Sequence, residues 1–427
     1  MLDKETAQEM LILAGLTYRG SLDPDVAKLT SLIANTADLA GERHDRVLAQ
    51  GVKSGLDTLA PVQGKWELVW GPASSRADGH FDSSAMYVVR HSIDRQRYVV
   101  AVRGTNPVSL PDWLFGDLNV ATTVLWPFDS DGAEVSTSTA FGLYSLLQLQ
   151  SAPLGGDVGA VERRPGLLSA AVRQIDRISN PRLRVLFEPF ELFLTKSLAD
   201  LLADTRLPQR VGARLGSTVR ILSDQLLPRT SSAASPATGM TLFEFLSQEA
   251  NGNADPLDVT VTGHSKGGAL APALALWLLS TRTPHDDATP GWDRAGTATI
   301  RCVTFAGPTP GNTAFAKRIA TAFEGTHHRV VNTNDVVTHA WQAKQLQEVP
   351  LLFGNRSGSL TKLFDAVASD VASLDYAHAS EGVMTFPGKT DPRRSLVQEL
   401  IHQHMDAYCE QFDLQQQGID ALTFFLG

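Results

Sequence analysis

The sequence predicts an α/β fold: a mostly parallel central sheet with helices on both faces, carrying an inserted helical subdomain. Three observations lead there. From residue 241 to the C-terminus, strand-like and helix-like runs alternate, the pattern that a parallel sheet with helical crossovers leaves in a sequence. Before that, residues 65–104 hold the runs KWELVW, AMYVVRHS and RYVVAVRG, rich in the β-branched and aromatic residues of strands. Between these blocks, a stretch from 151 to 239 begins and ends in Gly, Pro, Ser and Ala and has helical patterning in its middle. The expected units are an N-terminal helical scaffold at 1–64, a core made of 65–150 and 240–427, and the insertion 151–239.

Composition narrows the function. Of 427 residues, 43% are hydrophobic and 19% charged, as in ordinary globular proteins, and no apolar run approaches the roughly 18 residues of a membrane span. The excess of 46 Asp and Glu over 37 Lys and Arg gives a net charge of -9, which argues against a nucleic-acid partner and against attraction to anionic lipid. Contact with lipid would have to be apolar. The N-terminus begins acidic and has only a short apolar core, unlike a secretory signal, so the expectation is a cytoplasmic protein by default, with leaderless export left open. The two cysteines, Cys302 and Cys409, build no disulfide framework and match no zinc spacing. Oligomeric state is not legible.

The elements follow in order. Residues 5–60 place Met10, Leu11, Leu13, Ala14 and Tyr18, then Leu29, Leu32, Ile33 and Leu39, at helical spacing, which reads as packing scaffold. The strands from 65 form one side of the sheet, and the third ends in Arg103-Gly104-Thr105-Asn106, suited to a loop facing an active site. Residues 107–128 concentrate Trp113, Leu114, Phe115, Leu125, Trp126 and Phe128; they either cover the sheet edge or form a lid over an apolar cleft. A helix follows at 139–149. The insertion is most apolar at 185–202, and is either a helix hairpin on the core or a cap shaping the acyl side of the cleft. After TLFEFLSQEA come a strand at 259, a long helix, the strand TIRCVTFAG, the helix FAKRIATAF and the strand HRVVNTNDVV. Residues 341–400 are less regular, with YAHASEGVMTF as a last strand, and SLVQELIHQHMDAYCEQF closes the chain as one helix.

The chemistry centres on VTVTGHSKGG at 259–268. A strand, then Gly-His-Ser-Lys-Gly, then an apolar helix is the setting in which G-x-S-x-G presents a serine on a sharp turn, Oγ outward. Ser265 is the candidate nucleophile, and the Lys266 amide at the helix start would face the oxygen that gains charge. A serine hydroxyl needs a base, and the base an orienting carboxylate. Asp335, just beyond the strand Arg329-Val330-Val331, fits the carboxylate; Asp391 and Asp370 lie far from any strand end. Of the histidines beyond Asp335, His339 is too near it in sequence and His378 lies within a strand pattern. His402 and His404 remain, two apart and so on different faces of a helix.

The stretches AVRGT at 101–105, GHSKGGALA at 263–271, VTFAGPTPGN at 303–312 and NTNDVV at 332–337 resemble, in order and spacing, the class 3 lipases, and the chain looks like a bacterial-type member with a helical insertion. The resemblance implies the α/β-hydrolase fold, with Ser265, Asp335 and His404 as the triad. His404 is preferred because QHMDAY at 403–408 is similar to the family's last histidine, which stands a few residues before a tyrosine. It also implies that Thr105 completes the oxyanion hole with Lys266. Lys266 stands where the family usually has Leu or Met, Pro272 interrupts the elbow helix, and 151–239 has no counterpart in short fungal members. The implied activity is that of a serine carboxylic ester hydrolase, a lipase acting on acylglycerols through an acyl-enzyme, with no metal or organic cofactor. Phospholipase A1 or short-chain carboxylesterase activity is the alternative, and a non-catalytic lipid-binding protein the remote one.

Overall fold

In the computed structural model the alternating apolar runs pair into one seven-stranded sheet. The residues described are 2–19, 37–74, 84–104, 120, 122–128, 131–151, 239–284, 291–352 and 358–426. Two helices, α1 (Lys4–Leu16) and α2 (Ala37–Thr58), precede the strands β1 (Trp66–Ser74), β2 (Ala85–His91) and β3 (Arg97–Val102). Next come β4 (Thr123–Leu125), β5 (Glu134–Ser136), α3 (Thr137–Leu147) and β6 (Gln150–Ser151). Beyond the insertion lie β7 (Met240–Thr241), α4 (Leu242–Gly252), β8 (Asp258–His264), α5 (Lys266–Ser280) and β9 (Thr299–Phe305). They are followed by β10 (Gly311–Asn312), α6 (Thr313–Ala322), β11 (His327–Asn332), α7 (Ala343–Leu352) and α8 (Gly358–Val371). The last elements are β12 (Tyr376–Ala377), β13 (Val383–Phe386), α9 (Leu396–His404), α10 (Asp406–Gln411) and α11 (Ala421–Leu426).

The sheet runs β1-β2-β3-β8-β9-β11-β13. β1, β2 and β3 are antiparallel neighbours at one side, and every pairing from β3 onward is parallel. Strict alternation sorts side chains to the two faces. Met86, Val88, Tyr98, Val100 and Val102 pack on one face against Leu143 of α3, Phe245 of α4, Leu270 and Leu274 of α5 and Phe315 of α6. Tyr87, Val89, Val99 and Ala101 pack on the other against Met10 and Leu13 of α1, Val52 of α2 and Tyr408 of α10. Beyond the end of β11, α7 and α8 add a satellite core around Val337, Trp341, Leu346 and Phe364.

Several details differ from the expectation. The closing helix breaks at Met405, whose φ of -124° and ψ of -69° leave the helical region. The irregular stretch contains α7, which has Pro350 inside it, and α8. YAHASEGVMTF divides between the small sheet β12-β10-β5-β4 and the main one. Pro272 lies inside α5 without ending it. Trp126 is core, 5.3 Å from the Phe315 ring, whereas Trp113, Leu114, Phe115 and the apolar run 185–202 lie outside the described residues, as do Leu29, Leu32 and Ile33. The residues that flank 152–238 meet as an antiparallel pair, Ser151 opposite Met240. Both are tied to β1, where the Gly71 amide donates to Ser151 Oγ (2.9 Å) and Trp70 Nε1 to the Met240 carbonyl (2.9 Å).

Candidate active site

β8 ends at His264 and α5 starts at Lys266, so Ser265 makes the whole turn, with φ 61° and ψ -131°. A non-glycine residue in this region costs about 1–3 kcal/mol, which the surroundings must offset. They do so by close approach. A Cβ on Gly263 would be driven into the Gly267 carbonyl, and one on Gly268 would come 2.8 Å from Gly307 Cα. Only glycine lets strand, helix and the turn after β9 meet here. The Ser265 amide donates to the Phe305 carbonyl (3.0 Å) and the Gly268 amide to the Ser265 carbonyl (2.7 Å), which fixes the turn on β9. The Ser265 side chain is buried, and its Oγ has no hydrogen-bond partner among the described residues. Lys266 opens α5, where first-turn amides have no acceptor within the helix.

β11 delivers the carboxylate. Asp335 follows the strand end, and its Oδ1 accepts from the Val337 amide (3.0 Å), capping the short 3-10 turn Val336–His339. His404 Nδ1 donates to Asp335 Oδ2 at 3.0 Å, and the Tyr408 hydroxyl donates to the same oxygen at 3.0 Å. With Nδ1 carrying the proton, His404 Nε2 is left as the basic nitrogen. It too is buried without a partner among the described residues. No bond joins it to Ser265 Oγ in this structure, a common state of such pairs before substrate arrives. The His404 ring lies beside that of His264, the residue preceding the serine, with centroids 4.7 Å apart.

Two supports went unread in the sequence. Asn332, fully buried, donates through Nδ2 to the Gln403 carbonyl and to Gln403 Oε1 (both 2.7 Å), and accepts through Oδ1 from Gly388 (2.8 Å) and Asn334 (3.0 Å). It thereby fastens the loop of Asp335 to the helix of His404. Tyr18 follows α1 in the segment read as scaffold. Its hydroxyl lies 3.2 Å from the His264 carbonyl and 3.3 Å from His264 Nδ1, and burial pushes its pKa well up. Neither role carries a local signal, since Asn332 reaches the helix of His404 through Gln403 and Tyr18 reaches His264, both distant in the chain.

The other candidates stand elsewhere. His402 faces Asp406 and Glu410, at 4.0 and 3.8 Å. His339 Nδ1 bonds the Asp335 main-chain carbonyl (2.9 Å), and His378 Nε2 donates to the Thr338 carbonyl (3.0 Å). Asp391 pairs with Arg393 (2.7 Å), and Asp370 is exposed on α8. β3 ends beside the elbow: a Cβ on Gly104 would come 2.5 Å from the His264 carbonyl and 3.0 Å from Ser265 Cβ. Thr105, one residue further, lies outside the described residues. Among the described residues no cluster of His, Cys, Asp or Glu is arranged to hold a metal, and no helix is long and apolar enough to cross a membrane.

Residues 238–344, from the approach to β7 to the start of α7, match the family described as Lipase (class 3). The solved structure of M37 lipase is 22% identical, with a TM-score of 0.66 over 100% of this chain and 98% of that one, and shares its α/β-hydrolase fold. Two others are more distant. One is a triacylglycerol lipase whose catalytic centre is described as a serine protease triad (14% identity, TM-score 0.36, 79% of this chain and 74% of that one). The other is lipase II from Rhizopus niveus (14%, TM-score 0.33, 81% and 78%). No curated protein matches the chain.

Proposed function

We propose that this chain is a class 3 lipase, a carboxylic ester hydrolase that cleaves acylglycerol esters through an acyl-serine intermediate. The observation carrying the serine mechanism is the buried Asp335–His404 couple, which presents a basic nitrogen beside an elbow whose serine hydroxyl is uncommitted. Ser265 Oγ attacks the ester carbonyl while His404 Nε2 takes its proton. Asp335 holds the imidazole tautomer and stabilises its positive charge. The carbonyl oxygen, now an oxyanion, is met by the Lys266 amide, and Thr105 is the second proposed donor; each such donor is worth on the order of a hundredfold in rate. Collapse breaks the ester C–O bond and expels the alkoxide, to which His404 returns the proton, giving the free alcohol. Water, deprotonated by the same nitrogen, then releases the fatty acid.

Acylglycerol as substrate is supported by the family match and by the apolar stretches of the sequence. The burial of Trp126 favours a second reading, a short-chain carboxylesterase, because part of the 107–128 stretch is thereby core and not cover. Hydrolysis of p-nitrophenyl esters from two to sixteen acyl carbons, beside emulsified triacylglycerol and a phospholipid, separates the readings. A rate that climbs past the solubility limit, with long chains preferred, supports the lipase; activity confined to short soluble chains selects the esterase. Ser265→Ala lowers turnover by about 10³-fold or more, and retained turnover overturns the mechanism.

A further inference from the structure

The carbonyl of His404 is the last of α9, and the chain leaves helical geometry at Met405. Final-turn carbonyls have no partner within their helix, and this one belongs to a residue only 2% exposed. His264 supplies the partner. Its Nε2 lies 2.8 Å from the His404 carbonyl oxygen, and since a carbonyl only accepts, Nε2 carries the proton and Nδ1 is the acceptor. The Tyr18 hydroxyl lies 3.3 Å from Nδ1 and donates to the His264 carbonyl at 3.2 Å. Burial and the neighbouring His404 hold the His264 ring well below the ordinary imidazole pKa, in keeping with a neutral donor. The ring stands edge-on to Tyr408 as well, with centroids 5.9 Å apart, and Tyr408 is the residue that steadies Asp335.

We infer that His264 is a positioning residue: through its side chain it fastens the main chain of the base, His404, to the strand whose next residue is the nucleophile, and the Tyr18 hydroxyl, against its ring and its carbonyl, holds it in place. The strand bearing the serine and the helix bearing the base belong to distant parts of the chain. A single imidazole, covalently adjacent to Ser265, sets their separation. The role is one of distance and direction, with no proton exchanged between His264 and substrate. It follows that the N-terminal region takes part in the active site.

The inference rests on the Ser265–His404 mechanism, and the experiment keeps the two apart. Wild type, His264→Gln, His264→Leu and Tyr18→Phe are compared for kcat and KM on a soluble p-nitrophenyl ester, for labelling by a fluorophosphonate, and for thermal midpoint. Glutamine can place an N–H near the position of Nε2 but cannot titrate. It is expected to keep kcat within about tenfold of wild type, while leucine loses roughly a hundredfold, the scale of a misplaced catalytic group, with KM little changed in both. Tyr18→Phe, which removes one hydroxyl, lowers kcat several-fold without moving KM, and remains informative if His264→Leu does not fold. Leucine at wild-type kcat, or glutamine as impaired as leucine when both are folded, overturns the inference. If wild type hydrolyses no ester and takes up no fluorophosphonate, it is the serine mechanism that fails.

Discussion

Replacing Asn332 by alanine tests whether Asp335 and His404 are held together by one buried amide. The side chain makes four hydrogen bonds of 2.7–3.0 Å, two to Gln403 and one each to Gly388 and Asn334, from a fully buried position. At about 1 kcal/mol net per bond, truncation costs about 4 kcal/mol of stability. The loss falls on the junction between the Asp335 loop and α9, so the Asp335–His404 distance of 3.0 Å is no longer enforced and kcat drops by an estimated tenfold or more. Asn332→Asp separates the two halves of the amide, because it keeps an acceptor for Gly388 and Asn334 while setting a carboxylate against the Gln403 carbonyl. Urea unfolding at constant m-value reports the stability, and initial rates at saturating p-nitrophenyl ester report the chemistry. If Asn332→Ala unfolds at the wild-type urea concentration and turns over at the wild-type rate, the reasoning is wrong.

Other outcomes follow from the same geometry. His404→Ala lowers kcat by about 10³-fold or more while His402→Ala stays within about threefold, measured side by side on one soluble ester; the reverse pattern would move the base to the ring that faces Asp406. Burial holds His264 and His378 well below the ordinary histidine range, and holds His327 down to about 4. The unfolded chain binds protons at these sites from about pH 6.5 downward and the folded chain does not, so stability falls as pH drops through that window, until near pH 4 for His327. Each group contributes about 1.4 kcal/mol per pH unit. Urea midpoints at pH 7.5, 6 and 5 should decline accordingly, with a shallower slope in His327→Gln; a flat series contradicts the assignment. Gly268→Ala places a methyl 2.8 Å from Gly307 Cα and the Phe305 carbonyl oxygen. The contact is main chain that cannot rotate away, so a loss of about 1–3 kcal/mol is expected in thermal unfolding.

What the sequence disclosed was whatever is written locally. Strand periodicity in AMYVVRHS and RYVVAVRG marks β2 and β3 because two buried faces demand apolar residues at every position. The elbow is equally local: a strand, a turn that tolerates no Cβ at 263, 267 or 268, and a helix all fall within about twenty residues. Asp335 shows itself by sitting just past a strand. His402 and His404 look alike by helical periodicity, and only the resemblance favoured the second; in the fold His404 faces Asp335 and His402 faces Asp406 and Glu410. The break at Met405 is invisible to a pattern that stays apolar across it. Asn332 and Tyr18 were illegible for another reason. Their partners lie 71 and 246 residues away, and no window reads contacts of that span. α7 was obscured by Pro350, which removes an amide donor without preventing the helix.

The pairing of β6 with β7 has a consequence for how the chain can vary. Gln150 and Ser151 lie opposite Thr241 and Met240, and both strands are bonded to the edge of the main sheet, so two points far apart in the sequence are held side by side by the core itself. Between two fixed points, the entropy of loop closure grows in general only with the logarithm of loop length, about 0.6 kcal/mol for each doubling. The clasp of β6 and β7 therefore makes the sheet tolerant of changes in the number of residues that separate Ser151 from Met240.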